Sequence, residues 1–346
     1  MNKRKIIISI LLFLFVVNGL FSQQKLRVGF YNLENFFDVF TDSLSDYNDF
    51  TPQGNQHWDY NRFQTKRNNT FKTILAMGEG EPPALLGFCE VENEVVLREL
   101  IYKTPLKSFD YQYINYPSPD RRGIDVALIY RKQLLTLLES SIIRINDPQD
   151  PGFKTRDILF ASFLSGTDTI RFFINHWPSR YSGTLATFEK RVLVAGILKH
   201  QTDSILLQNP HSKIVIMGDF NDCAEDISMR ETLKALPIGS ECIEYCLFNL
   251  FNQNSELGFE GTLKHEQQWQ IFDQIIVSGF LLSDTLGLHY VNESARIFAP
   301  KFLLTQDEKY SGTKTYRTYM GPKYIGGYSD HLPVYIDLIG NLTPPK

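Results

Sequence analysis

Beyond residue 25 the chain carries a series of short apolar runs, each beside a polar cluster, and this series most narrows what it can fold into. LRVGFYNL (26–33) alternates as a half-buried strand does, and ALLGFCEV (84–91) reads as a fully buried one. GIDVALIYR (123–131), ILFASFLSG (158–166) and TIRFFINHW (169–177) follow, separated by turn-like clusters such as Gly166-Thr167-Asp168. KIVIMGDF (213–220), QIFDQIIVS (270–278) and HLPVYIDL (331–338) complete the set. Two segments have helical spacing instead. NRFQTKRNNTFKTILAMG (61–78) repeats Phe63, Phe71, Ile74 and Leu75 and stops at Gly78, and residues 184–209 place Leu185, Phe188, Val192 and Ala195 on one face of the longest expected helix. Strands outnumber helices and are joined by both hairpins and helical crossovers. That combination predicts a layered α/β fold with mixed sheets.

Residues 1–22 have a basic start (Lys3, Arg4, Lys5), an apolar stretch over 6–17 and small residues before Gln23. The stretch is short of the ~20 residues a spanning helix needs, so it reads as a signal peptide for export to the periplasm or beyond. The mature chain is then expected to be soluble, monomeric and without a transmembrane segment. Residues 23–346 show no linker, repeat or low-complexity tract, which predicts one domain. Loss of Lys3, Arg4 and Lys5 takes the formal charge from -4 to -7, which disfavours duplex binding driven by phosphate neutralisation. Four cysteines (Cys89, Cys223, Cys242, Cys246) are too few for a disulfide framework and lack zinc spacing, although Cys242 and Cys246 are close enough in sequence to pair.

The polar clusters at the strand margins have a restricted chemistry. Asn32, Glu34 and Asn35 follow the first strand, Glu90 and Glu92 the second, Asn175 and His176 a third, and Asp219, Asn221 and Asp222 a fourth. Asp273 lies in the next strand, and Asp330-His331 opens the last. Any one of these clusters is explained by a turn. Together they supply oxygen ligands, amides and imidazoles and no thiolate pair, a set suited to Mg²⁺, Mn²⁺ or Ca²⁺ and to proton transfer at a phosphate ester.

In this order, YNLENFFD, LLGFCEVEN, NHWPSR, MGDFND, FDQIIVS and YSDHLPV resemble the endonuclease/exonuclease/phosphatase superfamily across nearly the whole mature chain. The resemblance implies a four-layer α/β/β/α sandwich, two mixed β-sheets packed face to face, with the site where strand ends converge. It implies that Asn32, Glu90 and Asp330 hold a divalent metal. Asp219 would deprotonate or orient the attacking water, Asn221 would donate to a phosphate oxygen, His331 would contact the phosphate under Asp273, and His176 would act near the leaving group. Arg122 and Asn175 are further candidates for substrate contact.

The implied function is a metal-dependent phosphodiesterase or nuclease acting on nucleic acid or another phosphoester. Glu92 stands where the deoxyribonucleases of this family carry an arginine that enters DNA, which weakens the case for duplex recognition. A sphingomyelinase-like lipid hydrolase, an inositol-phosphate-type phosphatase and a catalytically silent binding module are the alternatives. A silent module is expected to have lost at least one of Glu90, Asp219, Asn221, Asp273, Asp330 and His331, and all six are present. Arg122 and Asp125 are read either as phosphate contacts or as a structural pair, and Trp58 and Trp177 either as base-stacking or as core residues. Glu34, Asn35 and Asp38 are read as metal-supporting or loop residues. His57, His200, His211, His265 and His289 are expected to have no role.

Overall fold

The computed structural model describes residues 23–40, 47–181, 183–242, 245–252, 256–283 and 287–341; the predicted signal peptide, 1–22, lies outside them. Two large sheets account for most of the strands. The first takes β1 (Gln23–Phe36), β2 (Leu85–Val91), β3 (Tyr111–Asn115), β4 (Asp125–Arg131), β12 (His289–Tyr290), β13 (Arg296–Ile297) and β14 (Val334–Asn341), in the order β12-β14-β1-β2-β4-β3 with β13 also on β14. The second runs β5 (Thr136–Ile143), β6 (Ile158–Ser165), β7 (Asp168–His176), β8 (Lys213–Asp219), β11 (Asp273–Ser278), β10 (Leu247–Asn249) and β9 (Ala235–Pro237). Both are mixed: β1 is parallel to β2 but antiparallel to β14, and β8 is parallel to β7 but antiparallel to β11.

Strand alternation divides the apolar side chains between three interfaces. Leu26, Val28 and Phe30 of β1 meet Ile174 of β7, Val215 and Met217 of β8 and Ile275 of β11 in a cluster between the sheets. The intervening Ile214 and Ile216 face the other way, onto Val194, Ala195 and Leu198 of helix α3 (Thr184–Gln208). Helices α1 (Tyr60–Met77) and α2 (Glu94–Tyr102) cover the outer face of the first sheet, where Phe63, Ile74, Val96 and Leu100 pack on Tyr31, Leu86 and Phe88. Three apolar interfaces make four layers, the expected α/β/β/α sandwich.

Two expectations are corrected. The buried stripe of α3 is Thr187, Arg191, Val194, Ala195, Leu198, Thr202 and Leu206, whereas Leu185 is 89% exposed. An arginine sits in that stripe because Arg191 forms a 2.8 Å ion pair with buried Asp222. The last strand begins at Val334 rather than His331, since Pro333 has no N–H to give to a ladder. Among the described residues no helix is long and apolar enough to cross a membrane. Cys242 and Cys246 form a disulfide with their Cα atoms 6.4 Å apart.

Gly87 and Gly218 are among the glycines that allow close approach. A Cβ on Gly87 would sit 2.9 Å from Ile174 Cδ1 in the facing sheet, and one on Gly218 would sit 2.5 Å from the Asn175 backbone oxygen. The first neighbour is a side-chain tip that can move, the second is backbone that cannot. Overpacking of this kind costs about 1–3 kcal/mol. Gly218→Ala is therefore expected near ~3 kcal/mol and Gly87→Ala near ~1 kcal/mol, measured as shifts of the urea midpoint at constant m-value. The reverse ranking would contradict this account of how β7 and β8 pack.

Candidate active site

The parallel and antiparallel pairings bring one end of β1, β2, β7 and β8, the start of β11 and the segment before β14 to the same edge of the sandwich. Register pairs His176 with Asp219 and Asp219 with Asp273, and Leu263 forms an isolated bridge with His331. At this edge the backbone leaves regular geometry. Glu34, Asn35, Glu90 and Asn221 have φ of 48°, 54°, 58° and 52°, the left-handed region that non-glycine residues seldom occupy. The β1–β2 register shifts between Asn32 and Phe36, and the β2–β4 register between Cys89 and Val91. Such irregularities re-aim side chains that a regular strand would send to either face.

Asp219 is the hub. Asn32 Nδ2 donates to its Oδ2 at 3.1 Å, the Asn221 backbone N–H donates to its Oδ1 at 3.0 Å, and His176 Nε2 and His331 Nε2 each lie 3.8 Å from Oδ2. Burial, with help from Asp273 and Glu90 and against the pull of His331, pushes the Asp219 carboxyl up to about 7. His331 Nδ1 is 2.6 Å from Asp273 Oδ2, and Asp273 is fully buried. Burial alone would lower the His331 pKa, but Asp273 and Asp219 raise it well above the ordinary histidine value. His176 goes the other way: burial, then Arg156, Arg122 and His331, hold it well below that value. One imidazole is thus cationic and the other neutral across the same carboxylate.

Glu90 accepts the Asn35 N–H at 2.8 Å through Oε2, while Oε1 has Arg122 at 3.8 Å and His176 at 3.9 Å. Asp330 accepts from Arg317 Nη2 at 2.9 Å, and Arg317 with His331 and Lys66 holds its carboxylate below the usual range against the effect of burial. Asn32 Oδ1 accepts the Glu34 N–H at 2.9 Å. Thr262 Oγ1 accepts the Asp273 N–H, and Ser329 Oγ accepts the His331 N–H, each at 3.1 Å. Glu90, Asp219, Asn221, His176, Asp330, His331 and Arg122 all line one cleft of about 730 Å³.

Asn175 is not among the residues that line it. Its side chain is fully buried, donating to Phe173 O and accepting from Trp177 Nε1, so its expected substrate contact is corrected to a structural role. Trp58 and Trp177 are core residues with no exposed surface. Arg122 faces Glu90 and Asp120 rather than Asp125, whose buried carboxyl is pushed up to about 7. Glu34 and Asp38 are buried in ties around the site, Glu34 accepting from Arg317 and Thr318, and Asp38 from Asn93.

The structure brings to the site residues to which sequence reasoning gives no role. His265, on a hairpin of Leu263–His265 with Gln268–Gln270, borders the cleft. Lys66 is buried in α1, donating to Thr318 Oγ1 and Tyr328 O with Glu34 at 3.8 Å, and burial pushes its ammonium down to about 8. A lysine in the stripe Phe63–Lys66–Thr70–Ile74 is the readable signal for it. Arg317 lies in an irregular stretch and carries no such signal.

The Endonuclease/Exonuclease/phosphatase family pattern matches residues 27–339. The chain belongs to this family. Its fold is shared with a Bacteroides thetaiotaomicron mannosyl-6-phosphatase (15% identity, TM-score 0.57, covering 90% of this chain and 99% of that one). It is likewise shared with a humanized D. rerio TDP2 (14%, 0.56, 91% and 98%) and the human Nocturnin catalytic domain (15%, 0.53, 92% and 96%). No curated protein sequence matches it.

The opposed histidines give a direct measurement. In chelator, the His331 ring signals are expected not to titrate around the ordinary histidine pKa, because the raised pKa leaves the imidazolium intact until the pH climbs past it. Asp273→Asn removes the acceptor's charge and should bring the transition down toward the ordinary histidine range. A wild-type His331 titrating near pH 6.5 would contradict the ion pair.

Proposed function

We propose that this protein is a divalent-metal-dependent phosphoester hydrolase acting on phosphodiesters with little bulk beyond the scissile group. The observation that carries the reading is geometric: in a member of this family, His176 and His331 each lie 3.8 Å from one buried carboxylate, Asp219, and His331 is backed by buried Asp273 at 2.6 Å. That backing favours the charged form of His331, while burial disfavours that of His176. Two titratable groups pushed apart in this way are what separate acid and base roles require.

The donor set fits a hard cation. Glu34, Glu90, Asp219, Asp273 and Asp330 crowd one edge, where ligand atoms of Asp219, Asp273 and His331 lie within 4.8 Å of one another. Asn32, Glu90 and Asp330 would hold the ion, and an all-oxygen set of this kind suits Mg²⁺ or Mn²⁺, with Ca²⁺ also admissible. When bound, the ion would polarise a phosphoryl oxygen and acidify nearby water. Asp219, fixed by Asn32 and the Asn221 N–H, accepts the proton of the attacking water. His331 presents its Nε2–H to the phosphate, kept charged by Asp273. Asn221 spends one amide hydrogen on Trp177 O at 3.1 Å and has another for a phosphate oxygen. Neutral His176 serves the leaving-group side. Arg122, whose ion pairs are long at 3.8 and 3.9 Å, has donors left for substrate.

Small substrates are favoured over a gripped duplex. Arg180, at the cleft, is spent internally on Asn221 O, Asp222 and Asp226 at 2.6–2.7 Å, and Glu92 stands in place of a groove-entering arginine. The nuclease reading takes support from the likeness to TDP2, which has been crystallised with a single strand DNA product. The second reading, a small phosphomonoester, takes support from the scarcity of free cations and the likeness to a mannosyl-6-phosphatase. The membrane-lipid reading gains no support from the hairpin beside the cleft, whose Trp269 packs edge-on against Phe259 at 5.0 Å. Export belongs to this proposal too and rests on the composition of residues 1–22.

The test is a phosphoester panel of plasmid, single-stranded DNA, RNA, sugar phosphates and a chromogenic diester, with and without Mg²⁺. Activity should vanish in EDTA and return with Mg²⁺ or Mn²⁺; full activity in chelator would refute the mechanism. His331→Ala should lower kcat by at least the ~10² of a positioned acid–base group, and because it leaves buried Asp273 without its partner it should also lower Tm; a folded variant with full specific activity would refute the role. Plasmid cleavage should weaken only slightly with salt, because each neutralised phosphate contributes about -0.9 to the log–log slope and few are engaged. A steep slope with no turnover of the small diester would instead establish a nucleic-acid groove.

A further inference from the structure

Arg317 connects two acids and has donors to spare. Its Nε donates to Glu34 Oε1 and its Nη2 to Asp330 Oδ2, both at 2.9 Å. Glu34 is 4% exposed and is gripped from its other side by the Thr318 N–H at 2.7 Å, with Lys66 at 3.8 Å. Arg317 Nη1, by contrast, makes no hydrogen bond among the described residues, and the side chain is 39% exposed. The residue borders both the main cleft and an adjoining cavity of about 250 Å³ walled by Tyr47, Phe50 and Tyr319. Arg122 borders the same two cavities.

The charge inventory gives this position two opposing effects. Five carboxylates (Glu34, Glu90, Asp219, Asp273, Asp330) face Lys66, Arg122, Arg317 and the His331 imidazolium. Removing Arg317 makes the edge more negative, which favours an incoming cation and disfavours an incoming anion. A residue that merely clamped Glu34 and Asp330 in place would act differently, since its loss would let the carboxylates drift and weaken both. The fork also suits two oxygens of one tetrahedral anion.

We propose that Arg317 is a substrate-binding residue that takes a second anionic oxygen of the phosphoester beside Arg122, and that its hold on Asp330 opposes cation binding at the same edge. This rests on the functional reading given above. The experiment measures Mn²⁺ affinity by EPR and inorganic phosphate affinity of the Mn²⁺-loaded protein by calorimetry, in wild type, Arg317→Ala and Arg317→Lys, with folding checked by circular dichroism.

In Arg317→Ala, Mn²⁺ should bind about tenfold tighter or more, and phosphate about tenfold weaker. Arg317→Lys keeps the charge and loses the fork, so Mn²⁺ affinity should stay near wild type while phosphate still weakens. Both affinities falling together, or neither moving, would overturn the proposal. Should Arg317→Ala fail to fold, Arg317→Lys decides by the same rule. A wild type that takes up no Mn²⁺ sinks the functional reading and this inference with it, whereas Mn²⁺ uptake with parallel losses in the variant sinks only the role of Arg317.

Discussion

Like charge, held out of water, is the constraint from which the arrangement at the strand ends follows. Carboxylates at a buried edge destabilise one another and lose hydration, and each must gain a partner, take up a proton or accept a cation. This protein uses the first two routes within its own chain. Asp273 is matched by His331, Glu34 by Arg317 and Lys66, and Asp330 by Arg317. Asp219 has the His331 imidazolium only at 3.8 Å, and burial moves it toward protonation. The partners come from α1, from the irregular stretch after residue 315 and from the segment before β14, so the edge is knit from parts of the chain far apart in sequence.

The sandwich makes this possible by separating tasks. Apolar interfaces between layers supply the stability, at about 1.5–3 kcal/mol for each fully buried aliphatic or aromatic side chain. The strand ends, relieved of that duty, carry groups that would be costly anywhere else in the core. Hydroxyls finish the work: Thr262 and Ser329 hold the backbone of Asp273 and His331, fixing the pair at its base rather than at its tips.

Most of the strand series was legible because its members are buried on both faces and stand out as apolar runs. The edge strands β3 and β5 were not, since β5 is largely solvent-exposed and its sequence has no apolar face to read. The nine-residue α2, EVVLRELIY, is too short for its period to separate it from a strand. At the edge, residues next to apolar runs could be picked out from position alone, and Glu90, Asp219, Asn221, Asp330 and His331 do meet there. Position alone misjudged Asn175, because alternation turns it inward while its neighbour His176 faces the cleft. Arg317 and Lys66 were missed for a different reason: their partners are set by tertiary approach, which leaves a trace in the helix stripe for Lys66 and none for Arg317.

Four residues at this edge, Glu34, Asn35, Glu90 and Asn221, have left-handed backbone without being glycine. A side chain leaving such a backbone points where neither strand nor helix can send one, and only asparagine, aspartate and glycine enter this region at modest cost. Descendants of this chain that change substrate are therefore channelled. Drift at these four positions is confined to a few residue types, whereas His265 and Arg122, on ordinary backbone around the opening and without close ion pairs, are free to vary, and divergence in what the cleft accepts should accumulate there.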